Sequence, residues 1–170
     1  MKKILLMMLC PLLLLLPGCG YRFGSLMHPQ IESIAIAPVT NETVAYNLGP
    51  QVRSLLCEVF QQDGSLQLKR ESNADCILYA RIIGVEFKQS TWSSVKGEDK
   101  YVPVEWSVTI TIEYSVMIPG ELNPLIKKCK VKGSATFMTG ADMETGRMSG
   151  TRQAALMAAK NIVSQVTEAW

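Results

Sequence analysis

Residues 104–118 alternate between apolar and mostly polar side chains for fifteen consecutive positions. The apolar set is Val104, Trp106, Val108, Ile110, Ile112, Tyr114, Val116 and Ile118. A period of two over this length predicts a β-strand with one buried face and one solvent-facing face. Strands of this kind belong to antiparallel sheets that are covered on one side only. The rest of the chain must therefore supply that cover.

Other segments carry strand patterns as well. Residues 31–39 place isoleucines on one face and alanines on the other, residues 65–69 add a short strand, and residues 74–90 are apolar on both faces. Gly84, inside the third of these, predicts a bulge or bend. Residues 127–138 alternate again, with lysine, serine and threonine on the polar face.

Two helices are predicted by apolar residues at helical spacing. The first begins near Pro50 and stops before Gly64, and the second runs from about Thr151 to near Trp170 after a glycine-rich connection. Proline is favoured at a first helical position and glycine just past a helix end. Residues 31–170 are thus predicted to form one α+β domain, with two helices on one face of a roughly four-stranded mixed or antiparallel sheet, in the order β-α-β-β-β-α.

The first eighteen residues have the pattern of a signal peptide: two lysines followed by a short apolar run. Leu16-Pro17-Gly18-Cys19 resembles a bacterial lipobox, although Pro17 departs from the usual residue at its position. The resemblance implies that Cys19 becomes the lipidated first residue and holds the protein to a membrane. Gly20, in place of an aspartate, implies sorting to the outer membrane. Residues 19–30 are then a tether.

Composition excludes several classes of function. Without Lys2 and Lys3, the chain has 15 basic and 15 acidic residues, so a protein that coats nucleic acid is not expected. The single histidine, His28, leaves little scope for a histidine-based catalytic triad or metal site. No phosphate-binding glycine loop or serine-nucleophile motif is present. We expect no enzyme activity, cofactor or metal, although an Asp/Glu pair assembled only by the fold stays open.

Cys57, Cys76 and Cys129 cannot all pair with one another. An oxidising compartment permits one disulfide, and the sequence does not choose among the three possible pairs. None of the three has a neighbouring cysteine at metal-ligand spacing. We expect them to be small buried apolar residues.

Two surfaces are candidates for binding. Lys128, Lys130 and Lys132, here called the lysine strip, share one face of the last strand beside Lys127. Lysine binds phosphate as a point charge, so the strip suits a phosphate-bearing ligand such as lipid A. The alternative is an edge strand that uses lysine to prevent unwanted pairing.

The second surface is the connection between the two long strands. It carries Trp92 and Tyr101 among polar residues, with Lys96 and Lys100 close by. An amphipathic aromatic tip could contact lipid or a partner protein. An ordinary solvated hairpin loop is the alternative.

An ordered series of segments resembles the LptE family of lipopolysaccharide-assembly lipoproteins. The segments are CGYRF (19–23), SIAIAPVTNET (33–43), FQQDGSLQL (60–68), NADCIL (73–78), VTITIEYSV (108–116) and GSATF (133–137). The resemblance implies a non-enzymatic, two-helix, four-stranded sandwich anchored to the inner leaflet of the outer membrane. It further implies a plug inside the lumen of the β-barrel LptD that helps to deliver lipopolysaccharide to the cell surface.

The family has no fixed motif for contacts with lipopolysaccharide. Lys96, Lys100, Lys128, Lys130 and Lys132 are therefore assigned as ligand-binding candidates from charge and placement, and Trp92 and Tyr101 as partner contacts. The alternative function is a different outer-membrane-anchored periplasmic lipoprotein that acts as an adaptor or lipid-binding module. A lipid-anchored hydrolase is disfavoured because no nucleophile motif is present.

Overall fold

The computed structural model describes residues 31–94, 101–138 and 142–168, with side chains described except at 91–94 and 101–104. The elements in chain order are β1 (Ser33–Ile36), β2 (Thr40–Asn41), α1 (Leu48–Asp63), β3 (Gln67–Leu68), a 3-10 turn (Glu71–Asn73), β4 (Cys76–Ser94), β5 (Tyr101–Met117), β6 (Ile126–Met138) and α2 (Met143–Thr167). The predicted α+β class and element order are confirmed.

Among these residues the sheet is mixed and has six strands rather than about four. Two of the six, β2 and β3, are only two residues long. The order is β3-β1-β4-β5-β6, and β2 pairs with β4 beyond the end of β1. β1 lies parallel to β3 and β4, whereas β4, β5 and β6 are antiparallel neighbours. β6 therefore forms one edge of the sheet.

The alternation in β5 divides the sheet into the two predicted faces. The even-numbered residues from Val108 to Val116 are buried, and the odd-numbered residues from Glu105 to Met117 are partly exposed. Both helices pack on the even face, because the main core joins these β5 residues to the apolar stripes of α1 and α2. Ala35 and Ala37 belong to a smaller buried cluster separate from this core, whereas Ile34 and Ile36 belong to the core.

Helix α1 begins two residues before the expected Pro50 and ends at the expected place. Gly64 adopts a φ of 72°, and its N–H donates to the Phe60 carbonyl at 3.0 Å. That left-handed conformation carries little steric cost for glycine. Val52, Leu56 and Phe60 are fully buried on the face that meets the sheet.

The predicted start of α2 was wrong by eight residues. The helix begins at Met143, so Gly146 and Gly150 lie within it rather than in a connection, and Gly140 lies outside the described residues. The reason is the close approach of Phe137: a Cβ at Gly150 would lie 2.6 Å from its ring, and one at Gly146 would lie 3.1 Å away. Asp142 caps this early start by accepting the Glu144 N–H. These two glycines allow α2 to approach Phe137 closely, and they do not interrupt the helix.

The bulge predicted at Gly84 is confirmed. Ile82 lies opposite Ile112, whereas Gly84 lies opposite Thr111, so Ile83 is the extra residue. Side chains that face the core therefore change from even-numbered before the bulge to odd-numbered after it, where Val85 and Phe87 follow Ile82. No helix in the described part of the chain is both long enough and apolar enough to cross a membrane.

Candidate functional site: a lysine edge and a polar sheet face

The lysine strip lies on β6, at the edge of the sheet. Lys128, Lys130 and Lys132 are all exposed, whereas Cys129, Val131 and Gly133 between and after them face the helices and are at least partly buried. Alternation along β6 therefore directs the three ammonium groups to the face opposite the helices, as the sequence predicted. Within the described residues none of the three lysines forms an ion pair.

The position of β6 depends on close contact with α2. A Cβ at Gly133 would overlap the backbone of Ala154 and Ala158, so α2 rests directly on the strand at this point. Asn161 of α2 also donates its side-chain amide to the Lys132 carbonyl at 3.1 Å. This packing fixes the backbone beneath the lysine strip, while the charged ends of the side chains stay in solvent.

A second set of charges lies beside the strip on the same face. Arg81 of β4 pairs with Glu113 of β5 at 2.9 Å and with Glu42 at 3.0 Å. The hydrogen bond to Glu113 and the negative charges of Glu113 and Glu42 raise the pKa of the Arg81 guanidinium. Lys130 lies directly opposite Glu113, whose carboxylate is already engaged by Arg81. The positive charge of the strip is therefore not fully compensated within the sheet.

The rest of this face is polar but uncharged in the middle. Thr109 and Ser134 share a hydrogen bond of 2.9 Å between neighbouring strands, and Thr111 lies opposite Lys132. Short polar side chains of this kind give a surface without deep relief. Such a surface can meet a polar wall through hydrogen bonds and water.

The predicted hairpin contacts lie far from the lysine strip. Trp92 pairs opposite Pro103 and Tyr101 opposite Ser94, at the far end of β4 and β5. Lys132 and Lys130 of the strip lie opposite Thr111 and Glu113 of β5, so about ten residues, or roughly 30 Å of strand, separate them from Tyr101 and Pro103. The structure does not bring the two predicted surfaces together. Lys96, Lys100 and Cys19 lie outside the described residues.

The lysine strip and the surface with Trp92 and Tyr101 lie at opposite ends of the sheet, and the strip is at the end where the domain begins. Ile34 of β1 lies opposite Cys76, the neighbouring Ile77 lies opposite Met117, and Val116 lies opposite Ile126. The beginning of β1 and the beginning of β6 are therefore level with each other. The lysine strip is at the end where the domain follows on from residue 30, whereas Ser94 and Tyr101 lie at the opposite end of β4 and β5.

The three cysteines within the described residues are free thiols. Cys76 is buried and contacts the Ser33 carbonyl at 3.6 Å, and burial raises the pKa of its thiol to about 11. A thiol with so high a pKa is a poor nucleophile. Cys57 and Cys129 are half-buried beside the core. Among the described residues, no group of His, Cys, Asp and Glu is arranged to hold a metal ion.

Sequence reasoning missed an open apolar cleft at the hairpin end of the domain. Its lining includes the loop 43–47, the start of α1, two β4 side chains and the first turns of α2. Val44 and Tyr46 are almost fully exposed there, at 106% and 98%. The only sequence signal was an apolar pair inside a turn-like segment, and exposure of that pair depends on how the loop is held in the fold.

A mixed sheet with one exposed polar face and two helices on its other face places the described residues in the α+β class. The sequence matches the model of the lipopolysaccharide-assembly family LptE over residues 31–169. The chain belongs to this family. No match was found among the curated proteins.

Solved structures share the fold at low sequence identity. The hypothetical protein CT253 from Chlamydia trachomatis is 13% identical, with a TM-score of 0.56, and the match covers 81% of this chain and 96% of that one. Protein XCC0632 from Xanthomonas campestris is 9% identical, with a TM-score of 0.58 and 89% coverage of both chains. A minor lipoprotein from Acinetobacter baumannii is 11% identical, with a TM-score of 0.53, covering 81% of this chain and 93% of that one. At these identities the likeness concerns the fold alone.

Proposed function

We propose that this protein is a non-enzymatic outer-membrane lipoprotein that plugs and supports an LptD-type β-barrel during delivery of lipopolysaccharide to the cell surface. The observation that carries the proposal is the LptE match, which spans the domain from its first strand to the end of its last helix. The order of elements and the exposed polar sheet face are compatible with it.

The membrane attachment in this proposal is the lipid on Cys19. The lipobox-like sequence at residues 16–19 places that cysteine directly after the apolar run of the leader. Several acyl chains on one cysteine give an essentially permanent anchor, since each buried CH₂ contributes about 0.8 kcal/mol. Residues 20–30 then connect the lipid to the domain, which would face the periplasm and the barrel lumen.

The polar sheet face is the surface proposed to meet the barrel. The lumen of an outer-membrane barrel is lined by polar side chains. Thr109, Thr111 and Ser134 offer hydroxyl groups to such a lining, and Arg81 and Glu113 offer both signs of charge. Trp92 and Tyr101, at the far end of the hairpin, are proposed as further barrel contacts.

The lysine strip is proposed to bind the phosphate groups of lipopolysaccharide, with Lys96 and Lys100 as further candidates on the hairpin. The charge of the strip is only partly compensated within the sheet, and it favours an anionic ligand because three neighbouring cations on one surface repel one another. Its position on the side where the domain joins the anchor would put these cations near a membrane surface. The lysines keep their solvent exposure, so binding should depend strongly on salt.

Co-purification tests the proposal. The tagged full-length chain is extracted from envelopes in a mild detergent, and the proteins that stay bound through two purification steps are identified and quantified. We expect one outer-membrane β-barrel in equal amount, and a first residue Cys19 that carries acyl chains in the mass spectrum. Soluble or inner-membrane partners without a barrel would instead support the alternative of a periplasmic adaptor or lipid-binding lipoprotein.

A further inference from the structure

Strand β4 has a long free edge. On one side β4 pairs with β5 along most of its length, and on the other side β1 and β2 cover it only as far as Ile82. Within the described residues no strand pairs with that side from residue 83 to residue 94. β2 ends at Asn41, and after Glu42 the chain continues through the loop that leads to α1. No described residue pairs with β4 in line with β2 beyond Glu42, and we call this part of the β4 edge the vacant position.

The backbone groups along this edge point outward. Glu42 N–H donates to the Ile82 carbonyl at 3.0 Å, so the backbone of Ile82 faces β2. Ile82, Val85 and Phe87 lie opposite Ile112, Ile110 and Val108, which are alternate residues of β5. Alternate residues of a strand direct their N–H and C=O groups to the same side. The N–H and C=O groups of Val85 and Phe87 consequently face the vacant position.

The apolar cleft borders the same stretch of edge. It has a volume of about 810 Å³, and its lining includes Val85 and Phe87 of β4, the loop 43–47 and the first turns of α2. The only charged residues in its described lining are Glu144 and Arg147, which pair with each other at 2.8 Å. The Arg147 guanidinium also lies 5.8 Å over the Phe87 ring. The cleft thus offers no uncompensated charge and suits uncharged apolar groups.

The loop that forms one wall is held in place before any partner binds. Asn41 donates its side-chain amide to the Ala45 carbonyl at 2.6 Å, and its Oδ1 accepts the Thr43 N–H at 3.0 Å and the Thr43 hydroxyl at 2.7 Å. These bonds fix the turn that displays Val44 and Tyr46 to solvent. A wall that is already ordered loses little conformational entropy on binding.

We propose that the free edge of β4 and this cleft together form a docking site for a β-strand of a partner protein whose apolar side chains occur at alternate positions. The partner strand continues the line of β2, pairs with the outward N–H and C=O groups of Val85 and Phe87, and places every second side chain in the cleft. The proposal goes beyond the lipopolysaccharide role and does not rest on it.

A polypeptide is the expected occupant, because its backbone can pair with the N–H and C=O groups along the β4 edge. An acyl chain could fill the cleft but would offer nothing to the backbone groups beside it. The chain's own residues 19–30 span at most about 43 Å when fully extended. From Ile31 to the level of Phe87 is about thirteen residues of strand, also roughly 43 Å. A fully extended tether would therefore only just reach the cleft, and no residues would remain to pair along the edge.

A fluorescent peptide tests the site on the lipidated full-length chain in lipid nanodiscs. The probe is a blocked seven-residue peptide with lysine at both ends and alternating valine and threonine between them. Its control has the same sequence with every amide N-methylated, which removes the hydrogen bonds and keeps the apolar side chains. Binding is followed by fluorescence anisotropy for the wild type and for the double variant V44S/Y46S. L122S is the matched variant, since Leu122 is equally exposed (98%) in the turn at the opposite end.

We expect the probe to bind the wild type, the N-methylated control not to bind measurably, and V44S/Y46S to weaken binding by about fivefold or more. L122S should leave the affinity unchanged. Equal binding of the two peptides would overturn the proposal in favour of a general apolar site for lipid. Absence of binding would overturn it in favour of an edge that the Gly84 bulge and Lys88 merely protect. Binding that appears only when residues 21–30 are deleted would assign the site to the tether.

Discussion

Ser33 and Asp75 bind each other reciprocally where β1 meets β4. The Ser33 hydroxyl and the Ser33 N–H both donate to Asp75 Oδ2, at 2.7 and 2.9 Å, and the Asp75 N–H donates to the Ser33 hydroxyl at 3.1 Å. The Glu32 N–H adds a third donor to the same oxygen at 3.1 Å. Ser33 is fully buried, so this pair fixes the first strand of the domain against the long strand at its centre.

The Ser33–Asp75 pair predicts a dependence of stability on pH. The hydrogen bond from Ser33, followed by that from Glu32, lowers the pKa of the Asp75 carboxyl below its ordinary value of 3.8. A lowered folded-state pKa means that this stabilisation is present above pH 3.8 and is lost as the pH falls through the folded pKa. Asp75→Asn should reduce stability near neutral pH and flatten the acid limb of the stability curve.

Chemical denaturation of the wild type, Asp75→Asn and Ser33→Ala at several pH values measures this effect. Ser33→Ala should cost about 1–2 kcal/mol near neutral pH, because it removes a donor to a charged group. Asp63→Asn is the matched control on an exposed helix end. An acid limb of equal slope in the wild type and Asp75→Asn would show that the pair does not govern the acid response.

The two faces of β5 predict unequal costs of truncation. Ile112→Ala should destabilise the protein by about 2–5 kcal/mol, because Ile112 is fully buried under the helices. Thr111→Ala, next to it on the polar face, should change the free energy of unfolding by no more than about 0.5 kcal/mol. Urea denaturation of the two variants provides the comparison, and equal losses would mean that the polar face is also buried in the isolated protein.

The contact between β6 and α2 predicts that Gly133 tolerates no side chain. The backbone of Ala154 and Ala158 would overlap a Cβ at this position, and backbone atoms cannot move aside without lifting the helix. Gly133→Ala should therefore cost about 3 kcal/mol or more. Gly84→Ala is the matched change, since its Cβ would lie 3.8 Å from the Thr111 side chain in ordinary contact. Similar thermal midpoints for both variants would contradict the close packing described here.

The lysine strip predicts salt-sensitive binding of lipopolysaccharide. Changing Lys128, Lys130 and Lys132 to glutamate should weaken binding strongly at low salt and little at high salt, because exposed charges are screened over about 8–10 Å at physiological salt. Thermal stability should change little. The control replaces Lys88, Arg152 and Lys160, which are exposed elsewhere, with glutamate. Its net charge equals that of the lysine-strip variant. Equal affinities of the two triple variants at low salt would mean that the strip only protects the sheet edge.

How far the sequence predicted the molecule depends on the range of the interactions involved. The faces of β5 and β6 and the end of α1 at Gly64 follow from local periodicity and local backbone preference, and these predictions were confirmed. The start of α2 was wrong because the role of Gly146 and Gly150 is set by Phe137, which lies on another strand. The short strand predicted at residues 65–69 is present as β3, whereas β2 was not predicted because it is defined by its pairing with β4 rather than by its own two-residue sequence.

The candidate site divides in the same way. The exposure of the lysine strip could be predicted because β6 alternates regularly. The distance between the strip and the hairpin could not, since it depends on the register of β4, β5 and β6. The cleft is created by three elements that meet beyond the end of β2, and no single segment carries its signal.

Depletion of the protein from its own bacterium tests the central claim most directly. Newly made lipopolysaccharide is labelled during depletion, and the fraction that reaches the cell surface is measured by accessibility to a reagent that does not enter the cell. The account predicts that this fraction falls as the protein disappears, while synthesis continues, and that the wild-type chain restores it. An unchanged surface fraction after full depletion would contradict a role in delivering lipopolysaccharide to the cell surface.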